Sequence, residues 1–405
     1  MAAFVLVKPR KWRHLLVFQC VSSYNWIAMW IPRVLENTIQ TKLVDSHKAV
    51  ILYGARQVGK TALACRLLDR LPYRTLSINA DEGQYSEILS SRNIQRWRSL
   101  VAGYGLVFID EAQRVPDIGI NLKLVVDSLP EVRVLATGSF SFALVNLIQE
   151  PLTGRTWTYT LHPVAVSELA ELQTPFQLEQ NLEELLVFGA YPEVITRPNR
   201  QEKRELLLAL TRSTLYRDAL DLAQVKYPGK IRDLLRLLSF QVGSEVSLQD
   251  LATRLGISRD TVERYIDLLE KSFVLFRLPG FSRNLRKEVR KMEKIFFCDL
   301  GVRNAAIENF LPLSQRNDLG QLWENFLLVE RRKMLDYRQW PAGCYFWRTH
   351  SGAELDYVEE RDGRLFGFEF KAGHHRSVAP RGWTDAYPDA LFTCVNRDTF
   401  LDFMS

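Results

Sequence analysis

Closely spaced cysteines are missing from this sequence. The five cysteines are scattered along the chain, their number is odd, and no two of them stand close together. Zinc sites and dithiol redox centres need such close pairs, so neither kind of site is predicted. This cysteine usage is typical of a reducing compartment, and we expect a cytoplasmic location.

A hydrophobic run long enough to cross a membrane is missing as well. The stretch LLVFQCVSSYNWIAMWI at residues 15–31 is interrupted by polar residues and is shorter than the ~20 residues that a bilayer requires. No small-residue cleavage site stands out, so we predict no signal peptide and expect no membrane partner. We interpret residues 1–30 as an N-terminal extension, in which residues 1–28 precede a natural start at Met29.

Low-complexity tracts and internal repeats are also absent, so the sequence gives no reason to expect disorder. With 47% hydrophobic and 25% charged residues, the 405 residues have an ordinary globular composition and a length suited to about two to four domains. The formal net charge of +6 mildly favours a polyanionic partner, although charge governs association rather than fold.

Short apolar runs alternate with helical patterns over residues 31–165. The runs AVILYGA, RTLSINA, GLVFIDE and VRVLATGS are typical of buried strands in a parallel sheet. This alternation predicts an α/β domain. Residues 166–240 then take a helical period and predict a helical lid or spacer.

The order of elements changes again in the second half of the chain. Residues 247–278 give a helix, a tight turn at Gly256, a second helix capped by Ser258 and an apolar β-like run. This order predicts a winged helix-turn-helix over residues 241–300. Residues 301–405 mix a helix around LWENFLLVERRKML with strands and predict a C-terminal α/β domain.

A phosphate-binding motif follows the first apolar run. The segment GARQVGKT has P-loop spacing and lies between a predicted strand and a predicted helix. Its glycines let backbone N–H groups point at phosphate oxygens, and the helix adds its positive end. We expect Lys60 to reach the β- and γ-phosphates of ATP and Thr61 to bind Mg²⁺. The predicted nucleotide-binding residues here are Gly54, Ala55, Arg56, Gln57, Val58, Gly59, Lys60, Thr61 and Ala62.

Carboxylates follow a neighbouring predicted strand in LVFIDEA, where ligands of parallel sheets bind. We expect Asp110 to hold the Mg²⁺ and Glu111 to orient and deprotonate the attacking water, as a catalytic partner of the P-loop lysine. Thr137 and Ser139 are candidates for sensing the γ-phosphate. Arg155 either contacts phosphate, from the lid or from a neighbouring subunit of a homo-oligomer, or is an ordinary surface arginine.

Together these motifs resemble those of the prokaryotic AAA-superfamily ATPases that carry a winged helix and a C-terminal domain related to the PD-(D/E)xK nucleases. The resemblance runs from IPRVLENTI at residues 31–39 to about residue 375, through YGARQVGKTAL, VFIDEAQ, LATGSFSFAL, GAYPEVI, WENFLLVE and FWRTHSGAELDYV. It implies ATP binding and hydrolysis, a P-loop NTPase sheet and a nuclease-like C-terminal fold. The sequence departs from the pattern at Phe140, where a small residue is commoner.

The stretch GAELDYVEERDGRLFGFEFKAG at residues 352–373 predicts a β-hairpin, because Asp362-Gly363 is a strong turn signal. If Arg361 faces Arg364, strand alternation separates a charged face from an apolar face. The predicted charged face carries Glu354, Asp356, Glu369 and Lys371, with Glu354 opposite Lys371. The predicted apolar face carries Leu355, Tyr357, Phe366, Phe368 and Phe370.

This register also places Asp356 opposite Glu369, a like-charge pair that a divalent cation would relieve. Mg²⁺ or Mn²⁺ on these carboxylates, with Lys371 nearby, suits phosphodiester hydrolysis. Glu324 or Glu330 adds a carboxylate from the preceding helix, and the resemblance favours Glu324. Two interpretations stay open: a metal-dependent nuclease site that acts on DNA, and a solvated surface hairpin.

Basic residues in and after the predicted winged helix are candidates for contact with DNA. Arg259 and Arg264 lie at the start of the recognition helix, which meets base edges in such complexes. Further basic residues suited to the phosphate backbone are Arg283, Arg286, Lys287, Arg290, Lys291 and Lys294. The alternative is a module that packs against the ATPase or a protein partner, with solvated charges.

The sequence therefore favours a Mg²⁺-dependent ATPase of the AAA superfamily whose winged helix and nuclease-like domain act on DNA. A second hypothesis belongs to another class. In it, ATP binding is a conformational switch, hydrolysis is slow, and the C-terminal domain binds a protein or nucleic acid without cutting it.

Overall fold

The computed structural model describes residues 30–139, 152–212, 227–283 and 293–404. The described helices include none that is both long and apolar enough to span a bilayer. Several sequence predictions lie outside the described residues: the extension before Met29, Phe140, Arg286, Lys287, Arg290 and Lys291.

The N-terminal part is built on a five-stranded sheet in which every pair of neighbouring strands is parallel. The strands pair in the order β2-β3-β4-β1-β5. Their bounds are β1 (Ala49–Tyr53), β2 (Thr75–Asn79), β3 (Leu106–Asp110), β4 (Arg133–Gly138) and β5 (Thr156–Thr160). The parallel sheet is confirmed. Strand β5 was not predicted, because its sequence TWTYT alternates threonine with aromatics and has no continuous apolar run.

Helices cover both faces of this sheet. They are α1 (Leu35–Asp45), α2 (Lys60–Arg70), α3 (Ser86–Leu89), α4 (Ile94–Leu100) and α5 (Ile118–Ser128). Strand β1 divides its side chains between two cores: Leu52 joins Leu63 of α2, and Ile51 joins Leu122 of α5. Burial on both faces explains the continuous apolar sequence of β1.

A series of helices follows the sheet, as the helical period of residues 166–240 predicts. They are α6 (Val166–Leu169), α7 (Pro175–Gln180), α8 (Leu182–Phe188), α9 (Pro192–Thr196), α10 (Arg200–Leu210) and α11 (Pro228–Phe240). Local signals start several of them. Thr174 caps α7 by accepting a hydrogen bond from the Gln177 N–H, and Pro175 occupies its first turn.

Two helices joined by a tight turn come next, followed by a two-stranded antiparallel sheet. They are α12 (Leu248–Leu255), α13 (Arg259–Lys271), β6 (Leu275–Pro279) and β7 (Glu293–Phe297). Gly256 ends α12 with a φ of 64°, and Ser258 Oγ accepts a hydrogen bond from the Thr261 N–H at 3.2 Å. The winged-helix prediction rests on this order of elements.

The C-terminal part is a mixed sheet with helices. Its elements are α14 (Leu300–Ala306), α15 (Leu319–Arg338), β8 (Gly343–Arg348), β9 (Glu354–Arg361), β10 (Arg364–Phe370), α16 (Arg381–Ala386), β11 (Leu391–Val395) and α17 (Phe400–Met404). The strand order is β11-β10-β9-β8, with β10 and β11 parallel and the other pairs antiparallel. The largest hydrophobic core joins side chains from all of these parts of the chain.

The β9–β10 hairpin has the predicted register at its turn, where Arg361 pairs with Arg364. Asp362 and Gly363 have φ values of 49° and 75°, as a type I′ turn requires. The prediction of one apolar face is wrong, since Leu355 packs with Trp383 in a separate, third core while Tyr357 joins the main core. Strict alternation fails because β9 and β8 shift register between Tyr345 and Trp347.

Candidate functional site

The loop between β1 and α2 brings backbone N–H groups to the amino end of α2. Gly54 and Gly59 have φ values of 152° and 95°, which favour glycine strongly. A Cβ atom at Gly54 would also overlap the Leu161 carbonyl oxygen, which follows β5. Both glycines of the predicted motif are therefore required by backbone geometry.

Lys60 is held inside this loop. The residue is 5% exposed, and its Nζ donates to the carbonyl oxygens of Gly54 and Ala55 at 3.0 and 2.8 Å. Ser139 Oγ lies 3.3 Å from the same nitrogen. The ammonium group is thus placed within the loop that wraps phosphates in P-loop proteins.

Oxygen ligands meet beside Lys60 at the carboxyl ends of the parallel strands. Thr61 Oγ1 donates to Asp110 Oδ2 at 2.9 Å, and the Thr137 hydroxyl donates to the other oxygen of Asp110. Strand order explains the meeting, since β3 and β4 are neighbours and β4 also pairs with β1. Hydroxyl and carboxylate oxygens are ligands that Mg²⁺ prefers, so Thr61 and Asp110 fit the predicted metal.

Glu111 lies next to this group, and Ser139 connects it to Lys60. Ser139 Oγ is 3.0 Å from each carboxylate oxygen of Glu111, and Gln113 Nε2 also donates to this carboxylate. Glu111 has a φ of 53°, a conformation that costs energy for a non-glycine residue and is often found at functional sites. The structure therefore brings the predicted catalytic residues together through one hydroxyl group.

Arg155 does not lie with the other predicted nucleotide-binding residues. Its carbonyl oxygen accepts a hydrogen bond from the Ala49 N–H at 3.0 Å, which places it at the amino ends of β1 and β5. Its exposed side chain pairs with Asp127 at 2.6 Å. The P-loop lies at the carboxyl ends of the strands, at the other end of the sheet. The prediction that Arg155 contacts phosphates of a nucleotide bound to its own chain is therefore wrong. Contact with a neighbouring subunit stays a prediction.

Arg33 is a supporting residue that the sequence analysis did not identify. It is 7% exposed, and its Nη1 donates to the Val58 carbonyl oxygen of the P-loop at 2.8 Å. Its Nη2 donates to His162 O at 2.6 Å, and its Nε lies 3.1 Å from both carboxylate oxygens of Glu168. Arg33 belongs to the quoted segment IPRVLENTI, but nothing local marks its partners, which lie far along the chain.

The end of α15 holds the segment that follows β5. The His162 N–H donates to the Tyr337 hydroxyl at 3.3 Å, and His162 Nε2 lies 2.7 Å from Asp336 Oδ2. Burial lowers the pKa of His162, against the raising effect of Asp336. Lys333 Nζ donates to Val164 O at 2.9 Å. The C-terminal part is therefore tied by hydrogen bonds to the segment that Arg33 connects to the P-loop.

A second group of charged residues lies in the C-terminal part. Lys294 Nζ is 2.7 Å from Glu354 Oε1 and 3.2 Å from Glu324 Oε1. Lys371 Nζ is 2.6 Å from Glu369 Oε1, so the predicted Glu354–Lys371 pair is wrong. Lys371 follows the end of β10, where cross-strand pairing has stopped. We call Lys294, Glu324, Glu354, Asp356, Glu369 and Lys371 the acidic cluster.

Burial raises the pKa of two carboxyl groups of this acidic cluster. It raises the pKa of Glu324 to about 8, against the lowering effect of Lys294. Burial and then the charge of Glu369 raise the pKa of Asp356 to about 6. Over the described ranges, no set of three or more histidine, cysteine, aspartate or glutamate residues is placed to hold a metal. The predicted metal ligands Asp356 and Glu369 thus gain no third ligand of these types.

The predicted DNA-binding residues differ in their surroundings. Arg259 and Arg264 are exposed on α13, but the exposed acids Asp260 and Glu263 lie between them in sequence. Arg283 pairs with Glu360 of β9 at 2.6 Å. Lys294 was predicted to follow the phosphate backbone; this is wrong, because it is 4% exposed and held by carboxylates. Charge in a basic run does not reveal such burial.

The fold and the loop define an AAA-type domain with the P-loop ATPase architecture. A family model described as an AAA domain matches residues 46–170. Two further models, described as the domains of unknown function DUF8612 and DUF4143, match residues 179–314 and 319–394. The three matches follow one another along the chain.

The chain belongs to the family of the uncharacterized protein Rv2008c of Mycobacterium tuberculosis. The two are 30% identical over 339 residues, which cover 82% of this chain and 73% of the relative. An uncharacterized protein of Methanocaldococcus jannaschii is 24% identical, over 74% of this chain and 70% of its own. A Walker-type ATPase of Pyrococcus abyssi is 15% identical, with 68% and 96% covered and a TM-score of 0.46, too low to support an argument.

Proposed function

We propose that this protein binds ATP and hydrolyses it with Mg²⁺ at the P-loop. The observation that carries the proposal is the hydroxyl group of Ser139, which contacts both Lys60 and Glu111. Thr61 and Asp110 would hold the Mg²⁺, which neutralises phosphate charge when it is bound with ATP. Lys60 then binds the phosphates, and Glu111 takes the proton of the attacking water.

Ser139 couples phosphate contact to the catalytic carboxylate in this proposal. The Ser139 hydroxyl group donates its hydrogen bond to Glu111, so part of the acceptor capacity of this carboxylate is occupied. A γ-phosphate oxygen competes for the same hydroxyl group and for Lys60. When the phosphate takes the Ser139 donor, Glu111 regains an acceptor oxygen for the attacking water.

ATP turnover by the full chain tests this proposal. We expect Lys60→Ala to lose nucleotide binding and Glu111→Gln to bind ATP but to hydrolyse it at least 100-fold more slowly. Lys230→Ala, on α11, is the matched lysine control and should turn over like the wild type. Full turnover by Lys60→Ala would reject the proposal.

We further propose that α12, α13 and the β6–β7 sheet act as a winged helix that contacts DNA, together with the nuclease-like C-terminal part. The exposed side chains of Arg259 and Arg264 support this contact. Binding of fluorescent duplex DNA should weaken steeply with salt and weaken further in Arg259→Ala/Arg264→Ala. Arg236→Ala, an exposed arginine of α11, is the control. A DNA affinity that changes neither with salt concentration nor in the double variant would argue for a protein partner instead.

A second candidate function is a nucleotide-dependent switch whose C-terminal domain binds without cutting. Two observations favour it: the contacts of α15 with the segment after β5, and the position of Lys294 between carboxylates of the acidic cluster. Incubation with linear, circular and single-stranded DNA in Mg²⁺ or Mn²⁺ decides between the candidates. Cleavage that disappears in Glu369→Ala would establish the nuclease, and absence of cleavage under all these conditions supports the switch.

Assembly into a homo-oligomer is proposed through Arg155, whose exposed side chain faces away from the nucleotide site of its own chain. If it acts on a neighbouring subunit, Arg155→Ala should lower ATP turnover without lowering ATP affinity. Turnover per chain should then also rise with protein concentration in the wild type. A wild-type rate per chain that is independent of concentration would contradict this role.

A further inference from the structure

Lys294 reaches the acidic cluster from outside the C-terminal sheet. It belongs to β7, whereas its partners Glu324 and Glu354 belong to α15 and β9. The residue is 4% exposed, and its Nζ lies 2.7 and 3.2 Å from the two carboxylates. One buried ammonium group therefore joins carboxylates from two separate elements.

The remaining carboxylates of the cluster also have partners in the chain. Glu369 Oε1 is 2.6 Å from Lys371 Nζ, and Asp356 Oδ2 accepts a hydrogen bond from the Phe370 N–H at 2.7 Å. No described set of three acids, histidines or cysteines is arranged around a common metal position. The residues of the cluster therefore do not fit a resident metal ion, although the resemblance to nucleases implies one.

The surroundings of Glu324 leave it little freedom to rearrange. A Cβ atom added to Gly243 would lie 2.9 Å from Glu324 Oε2, so the backbone at Gly243 closes this side of the carboxylate. The ring centroid of Phe346 is 5.3 Å from Lys294 Nζ on another side. Mg²⁺ needs ligand oxygens at about 2.0–2.1 Å. An ion that binds Glu324 and Glu354 together must therefore occupy the space of the ammonium group.

We propose that Lys294 is the resident cation of the acidic cluster. Its ammonium group holds Glu324 and Glu354 together and excludes divalent metal ions from this cluster in the wild-type protein. Removal of this charge leaves Glu324 and Glu354, which lie 3.2 and 2.7 Å from the ammonium nitrogen, free to bind a divalent cation in its place. Lys294 and its partners lie outside the P-loop, so this role does not depend on ATP hydrolysis.

Binding of Mn²⁺ to the full chain without nucleotide tests the inference, read from the loss of the electron paramagnetic resonance signal of free Mn²⁺. All proteins carry Thr61→Ala, so that binding at the P-loop does not contribute. We expect Lys294→Met to bind one Mn²⁺ at least tenfold more tightly than the Thr61→Ala parent. Lys294→Met/Glu324→Gln should lose this gain. Lys371→Met is the matched control, because Lys371 is a lysine of the same cluster and contacts Glu369. Its gain in Mn²⁺ affinity over the parent should be smaller than that of Lys294→Met.

Three results would overturn the inference: tight Mn²⁺ binding by the parent that Asp356→Asn removes, no gain in Lys294→Met, or a gain that survives Glu324→Gln. Lys294→Arg keeps the charge and should exclude Mn²⁺ as the parent does. Should Lys294→Met fail to fold, Lys294→Gln is measured instead, because it removes the charge, keeps a polar group and leaves both carboxylates in place. The expected tenfold gain is then the same, and its absence again rejects the proposal.

Discussion

Arg33 donates a hydrogen bond from Nη1 to the carbonyl oxygen of Val58, 2.8 Å away, and so holds the backbone of the P-loop. The same guanidinium group is paired with buried Glu168. This relationship joins the P-loop to the segment after β5, which α15 contacts in turn.

Arg33→Met should raise the KM for ATP about tenfold, because the P-loop loses a charge-assisted hydrogen bond at its carbonyl group. The substitution also leaves Glu168 buried without its partner, which destabilises the fold. Arg33→Met/Glu168→Gln should recover much of the stability but not the KM. Steady-state kinetics and thermal unfolding separate the two effects.

Arg66→Met is the matched control for Arg33, since Arg66 pairs with Glu36 at 2.8 Å and is more exposed. We expect its KM to stay within twofold of the wild type, because partly exposed ion pairs contribute little. A double variant of Arg33 and Glu168 with a normal KM would show that Arg33 is structural only.

Tyr337→Phe should weaken the connection between α15 and the nucleotide site. The lost hydroxyl group leaves the buried His162 N–H without its acceptor, which costs about 1–3 kcal/mol. Because the affected segment borders the P-loop, we also expect a smaller rise in Tm when ATP is added. Differential scanning fluorimetry with and without ATP measures both quantities.

Tyr265→Phe provides the matched comparison for Tyr337→Phe. Tyr265 is fully buried, and its hydroxyl group has no hydrogen-bond partner among the described residues. Removal of this hydroxyl group should leave stability unchanged or improve it. Equal losses of Tm in the two variants would contradict the role assigned to Tyr337.

Asp318 should make stability depend on acid pH. Although burial acts to raise its pKa, hydrogen bonds from Arg316 and Arg303 lower the pKa of Asp318 to about 2. A pKa lowered by folding stabilises the folded state above the unfolded value of ~3.9, and this contribution disappears as the pH falls towards 2. The free energy of unfolding of Asp318→Asn should therefore be about 2 kcal/mol below the wild type above pH 5.

Urea unfolding at a series of pH values from 6 to 3 measures this difference. The gap between wild type and Asp318→Asn should narrow below pH 4, because the Asp318 carboxylate takes up a proton in the unfolded wild type while it stays ionised in the folded protein. Asp385→Asn, on the exposed surface of α16, is the control and should follow the wild type throughout. A gap that stays constant down to pH 3 would mean that the ion pairs of Asp318 do not cause it.

Local patterns anticipated the parallel sheet and the composition of the P-loop. The spacing of GARQVGKT and the acids after LVFI lie within a few residues of each other, so the chain sequence reports them directly. Arg33 could not be found in this way, because Glu168 and Tyr337 are brought to it only by the tertiary fold. Lys294 was misassigned for the same reason, since a lysine beside a basic run looks exposed until β7 packs against α15.

Gly54→Ala should lower the affinity for ATP more than removal of any one side chain of the loop except that of Lys60. The added Cβ atom would overlap the Leu161 carbonyl oxygen and would also strain a backbone with a φ of 152°. We expect at least a tenfold loss of affinity for a fluorescent ATP analogue, together with a lower Tm. Gly83→Ala is the matched control, because a Cβ atom there meets no atom within 4 Å. Normal ATP affinity in Gly54→Ala would mean that the close approach of β5 to the P-loop is not needed for binding.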